Sequence, residues 1–340
     1  MTQRRGSLLG SKNYGNVHKG EITALATSPD YLFTADRNGF IKQFSLPAQT
    51  LIHDYGKCHT GEIWSMALSK RHLFSSDQKG KLLQFSLGEK SITKDYGKIH
   101  TGEIWSIALT KNDRWLFTSD FDGNLKQFDV ALKELSKDYK KIHQGHIYLI
   151  VTTKDSKFLF TSDFEGDLQQ YDCDMKKLVK HYGKIHNGHI IAMIGTPDSR
   201  HLFSADSKGH LIMTSVYGQE VTKRFGQMHL GEIHSMCCSQ DSGFLFTSDN
   251  FGHVKQFSCE YMTLYYDFGK VHAGEIRSIV CSGESLFTSD YLGSLKQFSI
   301  ANSVMLHDYG KLHDGGIENL VIEGKFLITS GRRGLLRQYE

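Results

Sequence analysis

The sequence predicts an all-β fold, an eight-bladed β-propeller, and three observations carry that reading. One unit recurs through the 340 residues, anchored by His18, His59, His100, His143, His186, His229, His272 and His313 at spacings of 41, 41, 43, 43, 43, 43 and 41. Each unit holds only strand and turn signals, and a period of about 40–45 residues made of strands alone indicates one four-stranded blade per repeat. The fourth-strand motif is out of step with the others: its first copy, Asn13-Tyr14-Gly15, precedes the first histidine, and the last repeat reaches Glu340 without one. Residues around 8–17 are therefore expected to complete the last blade as its outer strand, with 1–7 a tail and 8–340 one propeller. Such closure removes open sheet edges. Seven blades is the fallback, should one repeat be degenerate in space.

The third repeat shows how the elements arise. Residues 103–110, with apolar Ile104, Ile107 and Leu109, read as the first strand, and Lys111–Arg114 as a polar turn. Trp115–Ser119 is rich in aromatic and β-branched residues and reads as the second strand. The turn Asp120–Gly123 ends on a glycine able to take a positive φ. Asn124–Phe128 is the third strand and Leu135–Ile142 the fourth. A single sheet of this kind cannot bury both faces, whereas a closed ring of blades can.

Composition bounds the function. Apolar residues make up 39% of the chain, charged residues 23%, with three prolines, which describes a soluble globular protein. No stretch approaches the ~20 apolar residues of a membrane span, and the N-terminal ten residues lack the long apolar region of a secretion signal. The six cysteines have no Cys-x-x-Cys spacing, so reduced thiols are expected and neither a zinc site nor a disulfide framework. A net charge of +3 does not by itself imply nucleic acid.

The repeat resembles the WD40 family over essentially the whole chain. It keeps that family's His and the Gly of the turn, but Phe mostly stands at the Trp position. An Asp recurs two residues before the family's usual turn Asp, at Asp36, Asp77, Asp120, Asp163, Asp206, Asp249 and Asp290, with Gly331 in the last repeat. The resemblance implies a scaffold for protein–protein contacts. It also implies a blade-fixing His–Asp–Ser/Thr network: His59 with Asp77, His100 with Asp120, His143 with Asp163, His186 with Asp206, His229 with Asp249 and His272 with Asp290. A catalytic triad would need the same residue types, but near-identical copies around a ring point to structure. Histidines one blade apart cannot converge on a metal, so none is expected. The Gln ladder (Gln43, Gln84, Gln127, Gln170, Gln256, Gln297, Gln338) and the outer-strand aromatics (Tyr14, Tyr55, Tyr96, Tyr139, Tyr182, Phe225, Phe268, Tyr309) are equally regular. In the fifth repeat Leu211-Ile-Met-Thr214 and Arg224-Phe-Gly depart from the pattern.

Function is sought where the repeats differ. The residue after the Ile that opens the first strand runs Thr23, Trp64, Trp105, Tyr148, Ile191, His234, Arg277 and Glu318. The resemblance implies that it faces the channel mouth. Trp64, Trp105 and Tyr148, with Phe121 and Phe164 from adjacent turns, form the first candidate site, since exposed aromatics bury much area at small entropic cost. The rival reading of these rings is a plug for the channel. Phe251 and Tyr291 add further turn aromatics. Glu21, Glu62, Glu103, Glu232 and Glu275 precede the same strand, replaced by His146, His189 and Gly316 elsewhere. Ring closure would bring Arg4 and Arg5 near Arg332, Arg333 and Arg337, a second candidate surface suited to a phosphate or acidic peptide.

The expected function is a non-catalytic protein-interaction scaffold, a cytoplasmic subunit of a larger assembly, cytoskeletal or ciliary by analogy of fold. It takes protein partners, with no membrane, no cofactor and no small-molecule substrate. An enzyme or small-molecule-binding propeller using His146, His189, His234 and Arg277 is the alternative, though no nucleophile signature such as Gly-x-Ser-x-Gly occurs. Anionic-partner or nucleic-acid binding at the Arg seam is the third.

Overall fold

The computed structural model describes residues 10–340. These form eight four-stranded antiparallel sheets. Blade one comprises Ile22–Thr27, Tyr31–Asp36, Phe40–Ser45 and Thr50–Lys57 from the channel outwards, and blade three comprises Ile104–Leu109, Trp115–Asp120, Asn124–Asp129 and Glu134–Lys141. Seven blades take their strands consecutively. The eighth takes Ile317–Glu323, Phe326–Gly331 and Leu335–Tyr339, and its outer strand is Lys12–Asn16, antiparallel to Leu335–Tyr339. The ring is thus eight-bladed and closed non-covalently. The closing strand is shorter than the 8–17 segment anticipated, and residues 8 and 9 lie outside the described residues.

The strands follow from where each repeat puts its large apolar groups. The second strand is buried on both faces, and its Phe (Phe33, Phe74, Phe117, Phe160, Phe203, Phe246) is wholly excluded from water. The outer strand is mostly exposed and carries the charges. Cores form between blades: Phe74 and Leu82 of blade two pack with Ile104, Leu116 and Phe128 of blade three. At ~25 cal/mol per Å2 of buried apolar surface, these seams are the main source of stability.

The Gln ladder and the outer aromatics are one device. The phenols of Tyr14, Tyr55, Tyr96, Tyr139, Tyr182 and Tyr309 donate to the Gln of the third strand beside them at 2.6–3.0 Å. The amide nitrogens of Gln127, Gln170, Gln256 and Gln338 donate onward to a carbonyl of the next blade. The rings pack edge-on against the next blade's third-strand aromatic, as Tyr55 does on Phe85 and Tyr96 on Phe128. In blade five Met213 replaces Gln, and the outer ring is Phe225, which has no hydroxyl to satisfy. The departures of the fifth repeat are thereby matched to one another.

Candidate functional site: the upper rim of the channel

The upper face carries the linkers between blades and the turns joining second and third strands. Each anchoring histidine lies in a linker; the His59 amide, for example, donates to Gly39 of the preceding blade at 3.2 Å. All eight rings bond through Nε2 to a Thr or Ser hydroxyl of the second strand at 2.6–2.8 Å. Nδ1 faces the Asp carboxylate, at 3.0 Å for His59–Asp77, 2.9 Å for His100–Asp120, 3.0 Å for His229–Asp249, and 3.3 Å for His143–Asp163 and His186–Asp206. His272–Asp290 stands at 3.4 Å. The other Asp oxygen accepts two amides of the turn, as Asp120 does from Asp122 and Asn124. Burial pushes these carboxyls up, but bonds from His and the turn amides outweigh it, leaving Asp77, Asp120, Asp249 and Asp290 below the usual range and Asp206 at about 2. In blade eight Gly331 removes the carboxylate, and burial together with the nearby Arg337 charge lowers His313 to about 4. Each copy is closed within its own blade and its linker, and so holds a turn in place.

Above these struts, three positions per blade form the rim. In every blade the variable residue after the Ile is a β-bulge, skipped in the pairing of innermost and second strands; Ile63/Ser65 leaves out Trp64, and Ile104/Ser106 leaves out Trp105. Thr23, Tyr148, Ile191, His234, Arg277 and Glu318 hold the same place. A bulge re-aims its side chain out of the pleat, here to the channel mouth.

The rim has two unlike halves. In blades two to four the five candidate aromatics converge, all half-buried. Ring centroids of Trp105 lie 4.7 Å from Trp64, 5.4 Å from Phe121, 5.0 Å from Tyr148 and 6.2 Å from Phe164, and Tyr148 lies 5.5 Å from Phe164. The indoles are held by their own blades' carboxylates: Trp64 Nε1 donates to Glu62 at 3.1 Å and Trp105 Nε1 to Glu103 at 2.8 Å. Across the channel the rim is ionic. His234 lies 3.1 Å from Glu232 and 3.2 Å from Glu275, Arg277 lies 3.1 Å from Glu275, and Arg332 lies 2.5 Å from Glu318 and 4.1 Å above the Tyr291 ring. Burial raises the Tyr148 phenol, and blades three and seven, four apart in a ring of eight, set the two halves facing one another. Six carboxylates (Glu21, Glu62, Glu103, Glu232, Glu275, Glu318) meet three guanidiniums (Arg37, Arg277, Arg332), leaving an excess of three negative charges.

One relationship was not visible in the repeat. At five of the eight junctions the turn residue of one blade pairs with the pre-strand residue of the next: Arg37 with Glu62, Gln78 with Glu103, Phe121 with His146, Phe164 with His189, and Arg332 with Glu21. His146 stacks on Phe121 at 3.5 Å and 15°. The change from Glu to His in blades four and five thus follows the change to Phe in the preceding turn, a covariation between repeats that is detectable only once the two positions are known to touch. Phe251 stands apart, 50% exposed.

Among the described residues, Arg332, Arg333 and Arg337 do not gather into one patch. Arg332 belongs to the rim and is paired, Arg333 is exposed in the same turn, and Arg337 lies within the third strand beside His313. Arg4 and Arg5 lie outside the described residues.

Residues 94–129, the end of blade two and most of blade three, match the WD domain, G-beta repeat family. The chain is an eight-bladed β-propeller, and one of its repeats carries this family match. It is similar to the crystal structure of the computationally designed Ika8 protein (TM-score 0.84, 17% identity, 96% of this chain and 97% of that one). It is likewise similar to Saccharomyces cerevisiae Sqt1 (TM-score 0.85, 13% identity, again 96% and 97%). At these identities the likeness concerns the fold. No curated protein matches the propeller in sequence.

Proposed function

We propose that this propeller is a non-catalytic interaction scaffold of the cytoplasm, a subunit of a larger assembly, which docks a protein partner on the upper rim of blades two to four. The observation that carries the reading is the continuous cluster Trp64–Trp105–Tyr148–Phe164–Phe121, built wholly from bulge and turn positions that elsewhere in the ring are polar, charged or Ile, Tyr291 excepted. Rigid aromatic anchors inside a polar surround are the usual centre of a protein interface. The negative excess of the rim, which includes Glu62 and Glu103 beside the indoles, favours a partner segment that sets an apolar anchor on the aromatic cluster and a basic side chain against the carboxylates. The basic groups of the rim are engaged by its own carboxylates, with His234 between two glutamates and Arg37, Arg277 and Arg332 each paired, which suits electrostatic steering more than turnover.

The reading is tested by selecting a displayed random-peptide library on the immobilised propeller. Enriched peptides should combine aromatic or aliphatic anchors with Lys or Arg. They should lose at least tenfold in affinity against Trp105→Ala, in a variant that keeps its circular dichroism spectrum. Peptides that bind wild type and variant alike would refute it.

A further inference from the structure

Blade four departs from its neighbours at two places that meet. Four residues after the network Asp, the other complete repeats have Phe40, Lys81, Asn124, His210, His253 or Ser294; blade four has Asp167. On the outer strand, where Asp54, Asp138, Asp267 and Asp308 bridge to a third-strand Lys at 2.6–3.2 Å, blade four has His181, and the Lys is Gln169. Freed from that bridge, His181 turns to Asp167, with Nε2 2.7 Å from Oδ1 and 3.0 Å from Oδ2.

Asp167 meets the His143–Asp163 pair, the ligand atoms of the three lying within 4.8 Å of one another, and His181 touches that group through Asp167. His143 is 2% exposed, and its Nε2 is engaged by the Thr161 hydroxyl at 2.8 Å. Its Nδ1 lies 3.3 Å from Asp163 Oδ2 and 3.2 Å from Asp167 Oδ2, yet makes a directed hydrogen bond to neither. In blades two, three and six the same nitrogen bonds its Asp at 2.9–3.0 Å, and in blades one, five and seven it stands 3.3–3.4 Å from that Asp without a directed bond; what sets blade four apart is the second carboxylate, Asp167. Nδ1 faces two carboxylates at once, so in the metal-free protein its proton lies between them, and a zinc ion would take that proton's place. The 3.2 and 3.3 Å separations approach the edge of a tetrahedron with zinc–ligand bonds of about 2.0–2.1 Å, which is about 3.3–3.4 Å.

We propose that His143, Asp163 and Asp167 form a zinc site, with one imidazole and two carboxylates as ligands, a fourth place open to water, and His181 orienting Asp167. The chemistry of the set suits a borderline ion and disfavours calcium or magnesium, which take oxygen ligands. His181 is exposed and Asp167 half-buried, so the ion has a path from solvent, while Asp163 and His143 form the closed end. The site ties linker, turn and outer strand of blade four together. It also anchors the turn that carries Phe164, next to Asp163 in the chain.

The test is zinc titration of the full chain after treatment with a chelator, read by competition with a chromophoric chelator, with cobalt substitution as a second readout. Asp167→Asn and His181→Ala both lie toward the surface and are used in place of changes to the buried pair. One equivalent of zinc should bind the wild type, cobalt should give the intense visible absorption of a tetrahedral site, and each variant should lower affinity at least tenfold. No stoichiometric binding, or affinity undiminished in either variant, overturns the proposal. The peptide-selection result is independent of both outcomes.

Discussion

Tyr14 and Gln338, 324 positions apart, are joined by a 2.7 Å hydrogen bond from the phenol to the amide oxygen. The same Gln donates to Leu46 of blade one at 2.9 Å, so first strand, last strand and first blade meet at one side chain. Tyr14 also packs edge-on against Phe44 at 5.1 Å. Tyr14→Ala is expected to cost about 2–3 kcal/mol, below the range for a fully buried aromatic because the ring is half-buried. Tyr14→Phe should cost about 1 kcal/mol, leaving Gln338 short of a partner. Urea denaturation should show a reduced m-value for Tyr14→Ala only, since the matching Tyr55→Ala acts on a strand held by its own hairpin. Identical m-values in the two Ala variants would show that closure does not limit cooperativity.

Lys140 sits at φ +61, where the outer strands of other blades place a glycine, as at Gly56 (φ +70) and Gly97 (φ +71). No atom lies near a Cβ at those glycines, so strain at Lys140 is purely of the backbone. Its exposed pair with Asp138 offsets little of that. Lys140→Gly is expected to stabilise the protein by about 1 kcal/mol, the penalty of a left-handed non-glycine residue. A denaturation midpoint at or below that of wild type would contradict this.

Gly123 makes the opposite case. At φ +90, a Cβ would run into the backbone carbonyl of His143 in the next blade, well inside van der Waals contact. Gly123→Ala should therefore lose at least about 3 kcal/mol through strain and overlap at a blade junction. Thermal melting measures it, and a near-neutral effect would refute the tight seam.

Acid stability divides into two windows. The network carboxyls are depressed in the folded state, Asp206 to about 2, so their stabilisation is complete above the unfolded value of about 3.9 and is lost as pH falls toward 2. His313 is depressed to about 4 from an ordinary value of 6.5. Between those values the unfolded chain binds a proton that the folded chain does not, so stability declines as pH falls from 6.5 to 4, by about 3 kcal/mol at most. His313→Gln should flatten the urea midpoint over that upper window and leave the lower one unchanged. A variant profile parallel to wild type from pH 6.5 to 4 would overturn the assignment.

Architecture was legible because it repeats. The eight histidines, the turn glycines and the displaced Asn13-Tyr14-Gly15 motif determine blade number and closure without any contact information. The aromatic rim was legible as a set of unlike residues at one repeat position, and Trp64, Trp105 and Tyr148 do share a bulge. The partnerships between blades were not. Glu103 as a clamp on Trp105, His146 stacked on Phe121, and His181 turned onto Asp167 depend on which positions of neighbouring strands and turns face each other, and a period along the chain does not report that. The arginines fail for the same reason: Arg332 and Arg337 are five apart, yet one joins the rim and the other the interior of a strand.

The measurement that bears most directly on the central claim compares affinity capture by the intact propeller with capture by a folded Trp64→Ala, Trp105→Ala, Tyr148→Ala variant, quantified by mass spectrometry from the same lysate. Protein partners should be retained by the intact rim and lost from the variant, with binding only moderately reduced by salt. The same partners in the same amounts on both would contradict it, and would make the aromatic cluster a plug for the channel.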